Sequence, residues 1–431
     1  MKILLISYFF APHNNIGAVR PTKLAKYLIR MGHEVTVLCS GGRDGESDPA
    51  LKRDMANIPN VHVVEEWNPI RDKKRARQKN TAPKAAAAPA LPQRRSLMKK
   101  VKEAVYQLIG VASDVSFRHR GWKYIRSLNQ HYDVVLSTYG PWSVHHIACK
   151  VKRAGMAKHW AADFRDDVTV PFEWMNPWMK HYLRMICRHS DVRIGVSQGI
   201  MDKMGLGEDC AVLCNGFDPE DYRSMGGETV KTEKFTLAYC GQLSLGRRDV
   251  GNRDVTPIIQ ALHELVDEKV IAREEIELCY AGNDGAVFEA QAAAGGLADC
   301  VRNVGHISRE QAMQLQLQAN AIMVATWNLA GITGLLSGKL FEALMMNRPV
   351  LCSVRGDLPN SAMAQVIGET GAGYCYEEAV NDGLTGMKNY LCTLISMWRE
   401  GKPAGEDVDR ERLAFYSYPQ IARRLIGFFD E

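Results

Sequence analysis

The sequence predicts an α/β protein with two doubly wound parallel sheets, and three observations lead to that prediction. The chain has 431 residues, which is too long for one ordinary hydrophobic core. Short apolar runs of strand length recur along it, and segments of helical periodicity separate them. Strands that are buried on both faces and alternate with helices are typical of parallel sheets in doubly wound domains. We therefore expect two such domains.

The composition is that of a soluble globular protein, with 46% hydrophobic and 24% charged residues, and it excludes the fibrous and fully disordered classes. No apolar run reaches the roughly 18 residues that a membrane-spanning helix needs. Residues 1–10 lack a cleavage site before Pro12, which favours a buried first strand over a signal peptide. The cysteines, 11 in number, form no Cys-x-x-Cys pair, which indicates a cytoplasmic protein with reduced thiols.

The predicted elements follow one pattern in both halves. In the first half, after the opening strand, the predicted strands are residues 35–38, 134–136, 159–162, 192–196 and 211–213, with a helix at 22–31. In the second half they are residues 235–239, 276–280, 321–325 and 349–351, with helices at 257–268 and 339–346.

The domain boundary is expected after Asp218, where Gly226-Gly227 and a charged stretch precede the next strand. The predicted domains are residues 1–218 and 219–409, followed by one amphipathic helix over residues 410–431. Open α/β sheets bind ligands beyond the carboxyl ends of their strands. Two facing domains are therefore expected to bind ligands in a cleft between those ends.

Charge is distributed unevenly along the chain. Residues 1–225 hold 35 basic and 22 acidic side chains, and residues 226–431 hold 19 and 27, so the halves carry net charges of +13 and −8. Residues 71–102 alone hold 12 basic side chains and one acid. Such a composition predicts a mobile basic insertion on the surface.

Apolar residues accompany this basic insertion. The insertion ends in a stripe at helical spacing that begins at Leu97, and Trp174 and Trp178 lie in a second apolar stretch, residues 172–178. This combination suits an anionic membrane surface, which attracts each nearby basic residue by about 1 kcal/mol. Packing of the stripe in the core is the alternative, and nucleic acid is not expected because no binding motif accompanies the charge. The stripe consists of Leu97, Met98, Val101, Val105, Leu108 and Ile109.

The strongest local motif is a glycine-bearing loop, residues 331–338, that leads into a predicted helix. The free N–H groups and positive dipole of such a helix start, at Ser337 and Gly338, can hold a diphosphate. Lys339 can add a point charge, and Glu342, one turn later, can accept hydrogen bonds from ribose hydroxyls. A capped helix with a solvated lysine is the alternative. The spacing does not match a Walker loop.

A second glycine-bearing loop follows the first strand of the second domain. It holds Gly241 and then Arg247 and Arg248, with a further Arg-Asp pair at Arg253-Asp254. Guanidinium groups at the carboxyl end of a strand suit bidentate phosphate contacts, although a solvated surface loop has the same composition. The Gly-x-Gly-x-x-Gly pattern is absent after the first strand of either domain, which argues against a dinucleotide cofactor.

Two loops of the first domain are further candidates. His13, Gly17 and Arg20 follow the first strand and open a helix, where backbone N–H groups can meet a sugar or phosphate; an ordinary strand-to-helix turn is the alternative. Arg165 and Asp166 follow a later strand, where a carboxylate can orient a hydroxyl or act as a base; a salt-bridged turn is the alternative there.

Metal binding is not expected. The histidine pair His145-His146 and His189 lack ligand partners at helical spacing. Asp407 and Asp409 form an Asp-x-Asp motif, but a solvated linker is the simpler interpretation of their acidic, glycine- and proline-rich surroundings.

The order of these motifs resembles the glycosyltransferases of family 4, GT-B-fold enzymes of bacterial surface polysaccharide assembly. The resemblance covers nearly the whole chain. Its motifs are Tyr8 to Pro12 with Gly17, Met31 to Val37, Thr138 to Pro141, Asp163 to Asp166, Gly195 to Ser197, Asn215 to Asp218, Tyr239 to Gly241 with Arg-Asp, Ser337 to Glu342, and Glu369 to Gly373.

The resemblance implies two facing Rossmann-like domains, with the C-terminal helix crossing back to the first. The second domain would bind a nucleotide-diphosphate sugar, with Glu342 on the ribose and Lys339 with Arg247 or Arg248 on the diphosphate. The first domain would bind a lipid-linked or polysaccharide precursor, with Asp166 orienting the acceptor or reacting sugar. The implied chemistry is retaining sugar transfer without a metal or cofactor, on the inner face of the plasma membrane.

The chain departs from the family pattern at two positions. Gly334 stands where the family often has a glutamate, and Gln242 stands where an arginine often follows the glycine. Two other functions therefore stay open: a sugar-nucleotide epimerase on the same fold, and a degenerate transferase that only binds.

Overall fold

The structure is a computed structural model, and it confirms the predicted α/β class. It describes residues 1–41, 47–68, 97–168, 170, 173–206, 209–224, 232–244, 252–331, 333–334, 336–380, 383–402 and 408–429. The chain forms two compact units. The N-terminal unit comprises residues 1–195, 204–211 and 426–431, and the C-terminal unit comprises residues 196–203 and 212–425. The boundary expected after Asp218 stays a prediction.

The N-terminal unit contains a sheet of seven strands. The strands are β1 (Lys2–Ser7), β2 (Glu34–Ser40), β3 (Asn60–Val64), β4 (Tyr132–Thr138), β5 (Ala157–Phe164), β6 (Val192–Gly195) and β7 (Cys210–Val212). Their order in the sheet is β3-β2-β1-β4-β5-β6-β7. The helices along this part of the chain are α1 (Ile16–Arg30), α2 (Pro49–Met55), α3 (Leu97–Leu128), α4 (Ser143–Arg153), α5 (Asn176–His189) and α6 (Gln198–Met204).

The C-terminal unit contains a sheet of six strands. The strands are β8 (Phe235–Cys240), β9 (Ile276–Ala281), β10 (Val301–Gly305), β11 (Ala321–Trp327), β12 (Val350–Arg355) and β13 (Gly373–Glu377), in the order β10-β9-β8-β11-β12-β13. The helices are α7 (Pro219–Ser224), α8 (Thr256–Asp267), α9 (Gly285–Ala294), α10 (Arg309–Gln318), α11 (Gly338–Met345), α12 (Ala362–Thr370), α13 (Thr385–Glu400), α14 (Arg410–Phe415) and α15 (Tyr418–Ile426).

Both sheets are parallel, as the predicted alternation of strands and helices requires. In the N-terminal unit, Leu5 of β1 pairs with Val37 of β2 and Leu136 of β4. In the C-terminal unit, β11 pairs in parallel with β8 and β12, and all seven of its residues are buried. Because parallel strands end at one edge of a sheet, the loops after β1, β4, β5, β8 and β11 gather polar residues at those edges.

The terminal segment returns to the N-terminal unit. Residues 426–431 belong to that unit, and there the ring of Phe429 lies 5.6 Å from that of His159. All eleven cysteines are free thiols. Among the described helices, none is both long enough and apolar enough to cross a membrane.

The tail differs from the single helix predicted over residues 410–431, because α14 and α15 are separate helices. The backbone between them bonds to a neighbouring chain segment instead of continuing the helix. Phe217 donates its N–H to the carbonyl of Tyr416, and Tyr418 donates its N–H to the carbonyl of Phe217. Pro419 then lies in the first turn of α15, where its missing N–H is tolerated. The predicted inward residues Leu413, Ile421 and Leu425 are buried.

The contact between Phe217 and the tail generates a stability prediction. A Cβ atom on Gly216 would lie 2.5 Å from the carbonyl oxygen of Tyr416 and 2.5 Å from Cδ1 of Ile421. We expect Gly216→Ala to destabilise the protein by about 1–3 kcal/mol, since the backbone must move to admit the methyl group. Calorimetric unfolding would show a lower midpoint.

Gly368→Ala is the matched control for this substitution. Gly368 is an exposed glycine of α12, and no atom lies within 4 Å of the Cβ it would gain. The same change should therefore raise stability by up to about 1 kcal/mol through helix propensity. A similar effect of both substitutions would contradict the proposed role of the close approach at Gly216.

Candidate functional site

The loop after β8 is fixed by hydrogen bonds from the neighbouring strand. Gly241 adopts φ 109°, a conformation that favours glycine, and its carbonyl accepts a hydrogen bond of 3.0 Å from the hydroxyl of Tyr280. The Asp284 carboxylate accepts hydrogen bonds from the N–H groups of Leu243 and Ser244. The loop therefore presents its remaining groups in a defined geometry at the carboxyl edge of the sheet.

Lys339 lies directly beside this loop. It is the second residue of α11, and Ser337 caps that helix by accepting the N–H of Lys339 at 3.2 Å. The Lys339 ammonium donates to the Gln242 carbonyl at 2.8 Å and lies 4.8 Å from the centre of the Tyr239 ring. A Cβ on Gly241 would be 2.7 Å from Lys339 Nζ. A side chain at position 241 would therefore require the end of the Lys339 side chain to move.

Arg253 brings a second cation to the same carbonyl. Its Nη1 donates to Gln242 O at 3.0 Å, and its guanidinium lies 5.4 Å from the centre of the Trp327 ring. Arg253 Nε and Trp327 Nε1 are both buried, and neither finds a hydrogen-bond partner in the described part of the chain. Two buried donors and two cations at one point are the features of an anion-binding site.

The electrostatics of this cluster agree with its geometry. Burial, and then the nearby Arg253, lowers the pKa of Lys339 to about 7. The lysine is therefore only partly charged at neutral pH in the free protein. An anion would stabilise the charged form and relieve the repulsion from Arg253.

Glu342 lies one turn after Lys339 on α11, and its side chain is 24% exposed. Its Oε1 accepts a hydrogen bond of 2.9 Å from Nε of Arg309, the first residue of α10. A carboxylate held in this way can accept hydrogen bonds from hydroxyl groups of a ligand.

The structure thus brings five of the predicted donor-site residues together: Gly241, Ser337, Gly338, Lys339 and Glu342. Arg247 and Arg248 lie outside the described residues. Arg253, which the sequence offered only as a second Arg-Asp pair, reaches the site. Arg309 was missed. The sequence feature that could have indicated it is a basic residue directly after a capping serine, at a helix start, where a cation opposes the helix dipole.

In the N-terminal unit, Arg20 has a structural partner. Its Nε and Nη2 donate to the two carboxylate oxygens of Asp163 at 3.0 and 2.8 Å, and both side chains are buried. Removal of either residue would leave the other as an unpaired buried charge. Arg20 therefore holds α1 against the end of β5.

Arg165 also bonds inside the unit. Its Nη1 donates to the Gly17 carbonyl at 2.6 Å, and its Nε and Nη2 donate to the Tyr139 carbonyl at 3.1 and 2.7 Å. The N–H of Gly17 donates to the side chain of Asn15, which caps α1. Arg165 thereby joins the loops after β1, β4 and β5.

Asp166 and His13 have different environments. Asp166 is exposed at the carboxyl end of β5, and no hydrogen bond joins its carboxylate to the described residues. His13 is half-buried and forms an isolated bridge with Ser47. Of the residues predicted here, Asp166 has the side chain most available to a ligand.

The other polar candidates have structural roles among the described residues. Asp409 caps α14 by accepting the N–H groups of Glu411 and Arg412, while Asp407 lies outside the described residues. His145 is fully buried, and burial lowers its pKa to about 3, so it is a neutral core residue.

Comparison with known proteins agrees with this architecture. The profile of the family described as Glycosyltransferase Family 4 matches residues 18–221. Among curated proteins, none matches the sequence.

Several solved structures share the fold at low sequence identity. The N-terminal domain of trehalose-6-phosphate phosphatase from Candida albicans is 12% identical, with a TM-score of 0.59 over 99% of this chain and 96% of that one. A mutant of S. aureus TarM, in complex with fondaparinux, α-GlcNAc-glycerol and UDP, is 10% identical, with a TM-score of 0.57 over 100% of both chains. The lipopolysaccharide outer core galactosyltransferase WaaB is 13% identical, with a TM-score of 0.55 over 99% of both chains.

At these identities the structures establish the fold, two Rossmann-like domains of the GT-B type, and the family profile supports sugar transfer as the activity. The match to the Glycosyltransferase Family 4 profile covers residues 18–221, and the chain shares the GT-B fold of these structures over its whole length.

Proposed function

We propose that the protein is a retaining, metal-independent glycosyltransferase that moves a sugar from a nucleotide-diphosphate donor to a lipid-linked or polysaccharide precursor. One observation carries the donor assignment. Lys339 and Arg253 donate to the same carbonyl oxygen, that of Gln242, beside the first turn of α11. A diphosphate is an anion whose size and charge suit two cations and a helix N-terminus.

The same groups supply the catalytic effect. The bond between sugar and diphosphate breaks as negative charge develops on the leaving diphosphate. Lys339, Arg253 and the N–H groups at the start of α11 lie where they stabilise that charge. Two cationic side chains supply the positive charge that a metal ion supplies in other enzymes. This supports metal independence.

The acceptor belongs to the N-terminal unit in this proposal. Asp166 is an exposed carboxylate at the carboxyl edge of that unit's sheet, and we assign it to orienting the acceptor or the reacting sugar. Structures of the same fold support the substrate classes: TarM was crystallised with UDP and α-GlcNAc-glycerol, and WaaB is a galactosyltransferase.

We also propose that the N-terminal unit docks on an anionic membrane at the cytoplasmic face. Trp174 and Trp178 are 64% and 59% exposed, and their rings meet edge to face at 5.5 Å. Helix α5, which carries Trp178, holds no acidic residue, and its exposed residues include Lys180, Arg184 and Arg188. Exposed tryptophans beside cations suit the headgroup region. Two residues of the predicted apolar stripe, Val105 and Leu108 of α3, are also exposed. Residues 71–96 of the predicted basic insertion lie outside the described residues.

A second function has one observation in its favour. Gly334, which replaces the acid often found in the family, has φ +68°, a conformation that side-chain-bearing residues rarely adopt. The loop therefore departs from the family pattern at a position whose backbone conformation favours glycine. The resulting alternative is a subunit that binds nucleotide without turnover. Product analysis with a nucleotide-sugar distinguishes a transferase from such a subunit and from an epimerase.

The donor assignment predicts the result of a thermal-shift screen with UDP, GDP, ADP and CMP. A ligand that binds only the folded protein raises its unfolding temperature. At least one nucleoside diphosphate should do so, with the same shift in EDTA. Lys339→Ala should abolish that shift and Glu342→Ala should reduce it, and neither variant should unfold the chain. Lys388→Ala, on the surface of the same unit, is the matched control and should behave as the natural protein does. Unchanged shifts in both site variants would refute the assignment.

A pH dependence follows from the lowered pKa of Lys339. A bound diphosphate favours the charged lysine, so binding takes up a proton wherever the free lysine is neutral, which is above pH about 7. Affinity for UDP, measured by calorimetry, should fall by up to about tenfold per pH unit from pH 7.5 to 9. Phosphate, with a pKa near 6, is already ionised over this range. Lys339→Arg, which stays charged, should lose this dependence, and an equal slope in both proteins would contradict it.

The membrane assignment predicts co-sedimentation with vesicles that contain phosphatidylserine, weakening as salt is added. Trp174→Ala combined with Trp178→Ala should reduce the bound fraction severalfold. Phe415→Ala removes an exposed aromatic ring from the C-terminal unit and should have no effect. Undiminished binding of the double tryptophan variant would exclude this face.

A further inference from the structure

We propose that Arg309 is a positioning residue that fixes the Glu342 carboxylate for the ribose hydroxyls, and so sets a preference for ribonucleotide over deoxyribonucleotide donors. The inference rests on the proposed nucleotide-sugar site and adds to it a residue that neither the sequence motifs nor the family resemblance indicated.

The first support is the geometry of the ion pair. Arg309 Nε donates to Glu342 Oε1 at 2.9 Å, which fixes one oxygen of the carboxylate. Glu342 Oε2 carries no hydrogen bond to the residues that the structure describes, and the side chain is 24% exposed. One oxygen is therefore held by the protein, and the other is open to a hydroxyl donor.

The second support is the way Arg309 is itself held. Its Nη2 lies 3.8 Å from Oδ2 of Asp221, which is buried on α7. The two ends of the planar guanidinium thus face two carboxylates on different helices. A guanidinium has the fork geometry for this arrangement, whereas an ammonium offers only a point charge.

The third support is the location of Arg309 in its helix. It follows the capping residue Ser308 and is the first residue of α10, where a cation opposes the helix dipole. The carboxylates of Asp221 and Glu342 compensate for that unfavourable position. The arrangement fixes the carboxylate that faces the ligand, since a free glutamate side chain would have to lose rotamer freedom when the ribose binds.

A purely structural ion pair would have a different consequence. Its loss would weaken binding of all nucleotides in proportion to the damage to the fold. A positioning role weakens only those ligands that carry the hydroxyls. The ratio of affinities for matched ribo- and dideoxyribonucleotides therefore separates the two roles.

The experiment is calorimetric titration of the full chain with UDP, GDP and ADP, each beside its 2′,3′-dideoxy counterpart. The natural protein should prefer the ribose form of the nucleotide that it binds by about tenfold or more, as expected for hydrogen bonds to a carboxylate. Arg309→Ala should lose most of that preference and leave the dideoxy affinity unchanged. Arg309→Lys should retain an intermediate preference and serves if the alanine variant folds poorly.

Two further variants sharpen the result. In a double-mutant cycle, Arg309→Ala combined with Glu342→Ala should be no weaker for the ribose form than Glu342→Ala alone, because both changes remove one interaction. Arg302→Ala is the matched control: it breaks an Arg Nε to carboxylate pair of 3.0 Å with Glu277 in the same unit and should leave the preference intact.

Equal losses for ribose and dideoxy ligands, additive effects in the cycle, or a natural protein with no ribose preference would each overturn the positioning role. If the natural protein bound none of the nucleotides, the donor site itself would be refuted, and this inference with it.

Discussion

The carbonyl oxygen of Gln242 accepts hydrogen bonds from two cationic side chains, and the arrangement of the candidate donor site depends on this shared acceptor. It holds Lys339 of α11 and Arg253 close to each other in spite of their repulsion. The ring faces of Tyr239 and Trp327 offset part of that repulsion through their negative quadrupoles. Burial, and then the remaining repulsion from Arg253, lowers the pKa of the lysine to about 7. The site therefore favours an anion, because in the free protein the repulsion between Lys339 and Arg253 is not balanced by a negative charge.

In the N-terminal unit, by contrast, two arginines each have acceptors of their own. Arg20 is matched by both oxygens of Asp163, and Arg165 donates to the carbonyls of Gly17 and Tyr139. Groups compensated in this way stabilise the loops in which they lie. Asp166 is exposed beside them and has no such compensation among the described residues. Charged residues that have hydrogen-bond partners within the unit build the carboxyl edge of its sheet. Charged residues without such partners are available to a ligand.

Much of this could be predicted from the sequence, because buried strands and amphipathic helices leave local patterns. Helices such as α8 and α11 follow from helical periodicity within a residue, and apolar runs locate ten of the thirteen strands. The strands β3, β10 and β13 were not recognised, because most of their residues are only partly buried or exposed. The helix start at Ser337, with Lys339 and Glu342, was recognisable because its spacing is local. The divided tail was not, because the break at Tyr416 comes from backbone bonds to Phe217, far away in the sequence.

Long-range pairing also explains the site residues that the sequence could not assign. Arg20 meets Asp163 across 143 positions, and Arg309 meets Glu342 across 33. No spacing rule joins such pairs, so Arg20 was interpreted as a ligand residue and Arg309 was not recognised. Arg253 was visible as an Arg-Asp pair, but only the fold shows that its guanidinium reaches the carbonyl beside Lys339.

The position of Gly334 separates two parts of the site that are often considered together. The groups that suit the nucleotide are in place: Lys339 and Arg253 donate to the Gln242 carbonyl, and Glu342 accepts from Arg309. The acid that family members often carry eight residues before Glu342 is replaced by a glycine with positive φ. Recognition of the nucleotide can therefore be retained while contacts to the sugar change, because Lys339 and Glu342 lie on α11 whereas Gly334 lies in the loop before it. In the function proposed above, the donor sugar would be one that the site holds without a carboxylate from position 334.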